Sequence, residues 1–109
     1  GWDLMSTTEL LRVSCDTADG AWQIRLVGEA DFSVLDDLTG ALQGVTVRQG
    51  QQVRLDVGSL RFADVACMRA LIQFTDRAER VGARVHVEHP NATFARLRGV
   101  LGSDGPAGA

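Results

Sequence analysis

Four short stretches of the chain alternate apolar and polar residues with a period of two, as half-buried β-strands do. Their apolar positions are Leu11, Val13 and Cys15; Trp22, Ile24 and Leu26; Val53, Leu55 and Val57; and Val85 and Val87. The segment DTADG (16–20) joins the first two stretches, and its Asp and Gly favour a tight turn. The pattern therefore predicts a β-hairpin followed by two further strands.

Segments whose apolar residues recur at helical spacing lie between the later strands. From Ser33 to Gly44, apolar residues recur on one face of a predicted helix: Leu35, Leu38, Ala41 and Leu42. Ser33 is its predicted N-cap, and Gly44 is predicted to end it. From Val65 to Val81 a second stripe precedes the predicted C-cap Gly82: Val65, Met68, Leu71, Ile72, Thr75 and Ala78. Residues off that stripe should reach solvent or a partner: Arg69, Gln73 and Phe74. A third helix is predicted from Asn91 to Val100.

The predicted order is β-β-α-β-α-β-α, an α/β fold. The strands alternate rather than forming unbroken apolar runs, which indicates a mixed sheet of four to five strands with helices mainly on one face. Arg25, Arg54 and His86 are expected on the wetter face. One domain is predicted over 9–101, after a flexible segment or cloning remnant over 1–8 and before a flexible tail over 102–109.

Composition narrows the classes of function. The net charge is −3, and the 11 cationic residues are all Arg and scattered, so no nucleic-acid footprint is apparent. No apolar run approaches the roughly 18 residues of a membrane span, so direct membrane insertion is not expected. Cys15 and Cys67 have no metal-ligand spacing, and two free thiols suit a reducing, cytoplasmic location.

Several residues invite a chemical interpretation, and each has a simpler structural one. Asp56 ends a strand, where a phospho-accepting Asp could lie, but local backbone bonding is favoured. Asp31 and Asp64 could form an acid–base pair, although capping of the following helices is preferred. His86 and His89 lie three apart and are interpreted as surface residues, and Cys67 as a small buried thiol rather than a nucleophile. No enzymatic activity, metal or cofactor is predicted.

Taken together, these residues resemble the STAS domain, the family of sulphate-transporter tails and anti-sigma-factor antagonists. The similarity lies in IRLVGEADFSVL (24–35), VRLDVGSLRFADVACM (53–68) and RVHVEHP (84–90), in that order. The resemblance implies a bacterial signalling module that regulates transcription by docking a kinase-like anti-sigma factor. In such antagonists the partner phosphorylates the second Ser of a DSSG stretch. Ala66 occupies that position here, so the resemblance implies a docking site without the usual phosphoswitch.

The residues expected to bind the partner surround this stretch: Asp31, Ser33, Phe62, Asp64, Val65, Ala66, Cys67, Arg69 and Gln73. Phe74 is a candidate apolar contact. Ser33 and Ser59 flank the same corner, where a helix cap and a turn are the preferred interpretations. Three alternatives remain: an accessory domain of a membrane transporter, a ligand-sensing or scaffold domain, and a homodimer through the open sheet face or the N-terminal segment.

Overall fold

A computed structural model describes the backbone of residues 4–7, residues 10–90, and residues 92, 94 and 95. Within these residues the chain forms one five-stranded sheet and two complete α-helices, and residues 92, 94 and 95 are also helical. The elements are β1 (Leu4–Thr7), β2 (Leu11–Ala18), β3 (Ala21–Ala30), a 3-10 turn (Phe32–Val34), α1 (Leu35–Gln43), β4 (Gln52–Ala63), α2 (Val65–Arg80) and β5 (Arg84–Glu88).

The sheet is mixed, as predicted. Strands β1, β2 and β3 pair antiparallel, whereas β3, β4 and β5 pair parallel, and the spatial order follows the chain. The predicted hairpin between β2 and β3 is confirmed. Its two-residue turn has Asp19 at φ 55° and Gly20 at φ 77°, the positive values that a type I′ turn requires.

One face of the sheet carries the core. Fully buried side chains from β2, β3 and β4 pack with α1 and α2: Val13, Cys15, Ile24, Leu26, Leu38, Val53, Leu55, Val57, Met68 and Leu71. Each large apolar side chain buried in this way contributes about 1.5–3 kcal/mol relative to an exposed one. Arg25, Arg54 and His86 lie exposed on the opposite face, which confirms that the helices cover mainly one side.

The predicted apolar stripe of α2 was wrong at two positions. Val65 is 50% exposed, whereas Phe74 is only 3% exposed and belongs to the core. At 3.6 residues per turn, Val65 lies about 120° from Leu71 around the helix and Phe74 only about 60°. Phe74 therefore packs inward, and cannot serve as an apolar contact for a partner in this conformation.

The end of α2 follows the prediction. Gly82 has φ 94°, its amide donates to the carbonyl of Glu79 at 3.0 Å, and the amide of Ala83 donates to Ala78 at 3.1 Å. These two bonds form the Schellman arrangement that closes many helices. In α1, Gly44 is the residue that ends the helix, as predicted.

The N-terminal segment differs from the prediction, whereas the described residues of the predicted third helix agree with it. Residues Leu4–Thr7, expected in a flexible segment, form strand β1 against β2. The predicted helix from Asn91 to Val100 lies mostly outside the described residues, although Phe94, expected to point inward, is buried. The tail over 102–109 lies wholly outside them. No helix in the described part of the chain is long and apolar enough to cross a membrane.

Candidate protein-interaction site

Two hydrogen bonds bring the end of β3 against the start of α2. The amide of Asp64 donates to the carbonyl of Ala30 at 2.9 Å, and the thiol of Cys67 donates to the carbonyl of Asp31 at 3.2 Å. The 3-10 turn that follows β3 therefore lies beside the first turn of α2. This corner stands at the carboxyl ends of the parallel strands β3 and β4, the edge where α/β proteins commonly bind ligands.

Both acidic residues of the corner act as caps. The carboxylate of Asp31 accepts the amide and the hydroxyl hydrogen of Ser33, the amide at 2.9 Å. The carboxylate of Asp64 accepts the amide of Cys67 at 2.9 Å. The predicted capping roles of both residues are thus confirmed.

Ser33 is not the N-cap that the sequence predicted. Asp31 caps the 3-10 turn, and α1 begins only at Leu35, behind Val34, whose side chain makes no capping bond. The short turn interposed between strand and helix moves the start of α1 along the chain. It leaves Ser33 exposed with its hydroxyl on Asp31.

Irregular pairing of β4 explains why Phe62 faces outward. Arg25 pairs with Asp56 but Val27 pairs with Ser59, so two steps along β3 correspond to three along β4. In the same way, Gly28 pairs with Leu60 and Glu29 with Phe62. Each shift adds one residue to β4, as a β-bulge does. From the first bulge onward the buried residues are Val57, Leu60 and Ala63, every third position instead of every second.

The bulges correct one expectation from the sequence and account for an irregular pattern of exposure. Ser59 does not close a turn but lies within β4, paired with Val27. Arg61 and Phe62 are adjacent and both exposed, which a regular strand would not allow. Arg61 lies 3.4 Å from the carboxylate of Glu29 on the neighbouring strand, a solvent-exposed ion pair of small energetic weight.

Large apolar side chains stand exposed around the corner. Phe32 is 77% exposed, Val65 50% and Phe62 46%. Phe32 was not predicted as a site residue, although it lies between two residues that were, Asp31 and Ser33. A cluster of exposed large apolar side chains that includes aromatic rings is typical of an interaction surface.

The outer face of α2 continues this surface. Ala66, Arg69 and Gln73 are all exposed. They lie about 140–160° from the buried Leu71 around the helix and so form one stripe. The predicted exposure of Arg69 and Gln73 is confirmed. We call the combined set the corner surface: Asp31, Phe32, Ser33, Phe62, Asp64, Val65, Ala66, Arg69 and Gln73.

Cys67 does not belong to that surface, contrary to the expectation from the sequence. Its side chain is fully buried beneath the first turn of α2. Burial raises the pKa of the Cys67 thiol to about 12, and the nearby negative charges of Asp64 and Asp31 act in the same direction. A thiol held protonated in this way is not a nucleophile at neutral pH, which agrees with its interpretation as a packing residue.

Asp56 makes only local contacts. Its carboxylate accepts the amide of Gly58 at 2.9 Å and lies 3.2 Å from Nδ1 of His89. Partial burial raises the pKa of Asp56, but the hydrogen bonds from Gly58 and His89 and the charges of His89 and Arg25 outweigh it and lower the pKa overall. The predicted local backbone bonding of Asp56 is confirmed. Among the described residues, no group of three His, Cys, Asp or Glu side chains could hold a metal ion.

Comparison with known proteins agrees with this geometry. A family model described as Mlab, STAS domain, matches residues 13–105. The chain therefore belongs to this family of STAS domains, as the sequence resemblance implied. A search of curated proteins finds no significant match.

Solved structures share the fold at low sequence identity. An anti-sigma factor antagonist from Mycobacterium paratuberculosis matches with a TM-score of 0.69 and 18% identity, covering 91% of this chain and 84% of that one. The Bacillus cell fate determinant SpoIIAA, in its phosphorylated form, matches with a TM-score of 0.61 and 18% identity over 83% of each chain. A murine anion transporter, Solute Carrier 26 family member A9, matches with a TM-score of 0.65 and 12% identity, over 96% of this chain and 19% of the transporter.

Proposed function

We propose that this STAS domain is a non-catalytic docking module whose corner surface binds a regulatory protein. The observation that carries the proposal is the exposure of Phe32, Phe62 and Val65. These side chains lie beside the carboxylates of Asp31 and Asp64, which cap the 3-10 turn and α2. Aromatic side chains surrounded by polar groups are the usual anchors of protein interfaces. The thiols of Cys15 and Cys67 are buried, and the carboxylates of Asp56 and Asp64 accept local backbone hydrogen bonds. These groups therefore give little support to a catalytic role.

The charge of the corner indicates what the partner presents. Asp31 and Asp64 lie on it, and Asp36 and Asp37 are exposed on the first turn of α1 just beyond the 3-10 turn. Arg69 is the cation of the corner surface, since Arg61 is paired with Glu29. A complementary partner would offer an apolar pocket for Phe32, flanked by basic groups.

A kinase-like anti-sigma factor is the partner we favour. The support is the similarity of the fold to anti-sigma factor antagonists, together with the resemblance of residues 53–68 to their recognition stretch. The position that the resemblance assigns to the phospho-acceptor is Ala66, exposed on the first turn of α2. A methyl group cannot take a phosphoryl group, so docking would not be switched at that residue.

A pull-down from an extract of the encoding organism tests the proposal. The full chain serves as bait, and mass spectrometry identifies what is retained. We expect a kinase-like ATP-binding protein that is lost on Phe32→Ala and on Asp64→Lys. Val81→Ala is the matched control, because Val81 is 49% exposed at the other end of α2, about 24 Å from Val65 along the helix. Equal retention by Phe32→Ala would contradict the assignment.

An accessory role in a membrane transport system is the second candidate. Its support is the description of the matching family model as Mlab and the presence of this fold within a murine anion transporter. The same pull-down distinguishes the two candidates. A permease or transport ATPase, retained through the corner surface, would favour the transporter role and displace the anti-sigma factor.

A further inference from the structure

An apolar groove lies at the opposite end of α2 from the corner surface. It has a volume of about 420 Å³ and runs between the C-terminal ends of α1 and α2. Its apolar lining comes from both helices and from the residues that follow them: Leu42, Val45, Val47, Phe74, Ala78 and Val81. Leu42 and Phe74 are buried at its floor, whereas Val81 is 49% exposed at its rim. The groove is therefore open to an occupant from solvent.

The charge beside this groove is positive. Arg77 lines the groove and, within the described part of the chain, forms no ion pair. At 3.6 residues per turn, Arg77 lies about 60° from Phe74 around α2, whereas Asp76 and Glu79 lie about 140–160° from it. The acidic residues of this helix end thus face away from the groove. A fitting occupant presents a bulky apolar group next to negative charge.

The corner surface of a second copy presents these two features together. Phe32 is 77% exposed and directly follows the carboxylate of Asp31. Asp36 and Asp37 are exposed on the first turn of α1, just beyond the 3-10 turn. This end of the molecule is therefore an apolar side chain flanked by carboxylates, which complements an apolar groove flanked by an arginine.

The corner surface and the groove of one chain cannot meet each other. Asp64 caps the start of α2, and Arg77 lies in its last turn, about 20 Å further along the helix. We propose that the chain self-associates head to tail, with Phe32 of one copy in the groove of the next. Such a contact uses a different surface on each copy, so it leaves a free corner at one end and a free groove at the other.

Self-association of this kind would cover the corner surface. A second copy and a regulatory partner would then compete for Phe32, so the chain would have to dissociate before the partner could dock. This consequence alone rests on the proposed function. The self-association itself depends only on the complementarity of the two ends.

Sedimentation equilibrium of the full chain tests the contact. Between about 10 µM and 1 mM, the range of weak protein contacts, the average mass of the wild type should rise with concentration. Phe32→Ala and Arg77→Glu should each weaken the association at least about tenfold. Arg54→Glu is the matched control, because it makes the same change of charge on the exposed face of the sheet, and it should associate like the wild type.

A mixture of the two weakened variants tests the head-to-tail geometry. Phe32→Ala keeps an intact groove, and Arg77→Glu keeps an intact corner surface. Mixed in equal amounts, they should form one wild-type contact per pair, and the mass should stop at that of a dimer. Recovery in the mixture would also show that both variants are folded. A wild type that stays monomeric up to about 1 mM, or a mixture that stays monomeric, would overturn the inference.

Docking of the partner is scored separately, at a concentration at which the wild type is monomeric. Arg77→Glu and Val81→Ala alter only the groove, so both should retain the partner there. If the partner is lost on Phe32→Ala while the wild type never self-associates, the docking proposal stands and this inference falls. If the wild type self-associates through the groove while Phe32→Ala retains the partner undiminished, this inference stands and the docking proposal falls.

Discussion

The thiol of Cys67 donates a hydrogen bond to the backbone carbonyl of Asp31, with 3.2 Å between sulfur and oxygen. This contact joins two segments that are 36 residues apart in the chain. It explains why a fully buried thiol matters for an exposed surface. Cys67 supports the corner surface from beneath, while Phe32, Ser33 and Ala66 present it to solvent.

The two buried thiols predict a loss of stability at alkaline pH. Burial raises the pKa of Cys15 to about 11 and, together with the negative charges of Asp64 and Asp31, raises that of Cys67 to about 12. Because each folded pKa exceeds the unfolded value of 9.0, the stabilisation is complete below pH 9. Above it, the unfolded chain releases protons that the folded chain retains, so the free energy of unfolding falls by about 1.4 kcal/mol per pH unit for each thiol.

Urea denaturation between pH 8 and pH 10.5 would measure this slope. Cys15→Ala serves as the control, because it removes one of the two thiols and should reduce the slope by about half. In the native state neither thiol should react with Ellman's reagent at neutral pH, whereas both should react after unfolding. A free energy of unfolding that stays level across this pH range would contradict the assigned shifts.

Gly28 and Gly40 should respond in opposite directions to the same substitution. Gly28 has φ 117°, and a Cβ atom there would overlap the carbonyl oxygen of Leu10, which accepts the amide of Glu29. Gly28→Ala should therefore cost at least about 2 kcal/mol of folding free energy. Gly40 lies in α1 with open space around its Cα, so Gly40→Ala should stabilise the protein by about 0.5–1 kcal/mol.

Thermal and urea unfolding of the two variants would give both values. A neutral Gly28→Ala would mean that β3 does not approach Leu10 as closely as described. If Gly40→Ala were destabilising, other side chains would have to cover this face of α1, contrary to the open space described.

Asp64 should contribute to stability and to docking by separable means. Asp64→Ala removes the oxygen that accepts the Cys67 amide, and should lower the free energy of unfolding by about 1 kcal/mol. Asp64→Asn keeps an oxygen in place and should unfold close to the wild type. It removes the charge, however, so its affinity for the partner should fall. Unfolding curves and binding isotherms of both variants check the prediction, which fails if Asp64→Asn is destabilised as much as Asp64→Ala.

Sequence patterns predicted the strands and helices well where one physical rule determined the outcome. Alternation identified β2, β3, β5 and the first half of β4, because one face of the sheet is buried and the other carries Arg25, Arg54 and His86. The Asp19–Gly20 turn and the Gly82 cap were also foreseeable, since few other residues take positive φ values without strain. The capping roles of Asp31 and Asp64 followed from their positions before helical segments.

The corner surface was only partly predictable, because its shape depends on irregular local structure. Two bulges in β4 turn Phe62 outward, and no periodic pattern announces where an extra residue enters a strand. The 3-10 turn displaces the start of α1, so Ser33 was taken for a cap and Phe32 was overlooked. In α2, a prediction based on spacing alone misplaced Val65 and Phe74, since the phase of the helix is set by packing on the sheet.

The affinity of the isolated partner for Phe32→Ala decides whether Phe32 anchors docking at the corner surface. Titration calorimetry would compare the wild type, Phe32→Ala and the control Val81→Ala. Removing a phenyl ring that becomes buried on docking should weaken binding by about tenfold to a hundredfold, while Val81→Ala binds like the wild type. Equal affinity of Phe32→Ala and the wild type, or an equal loss in both variants, would show that the partner does not dock at the corner surface.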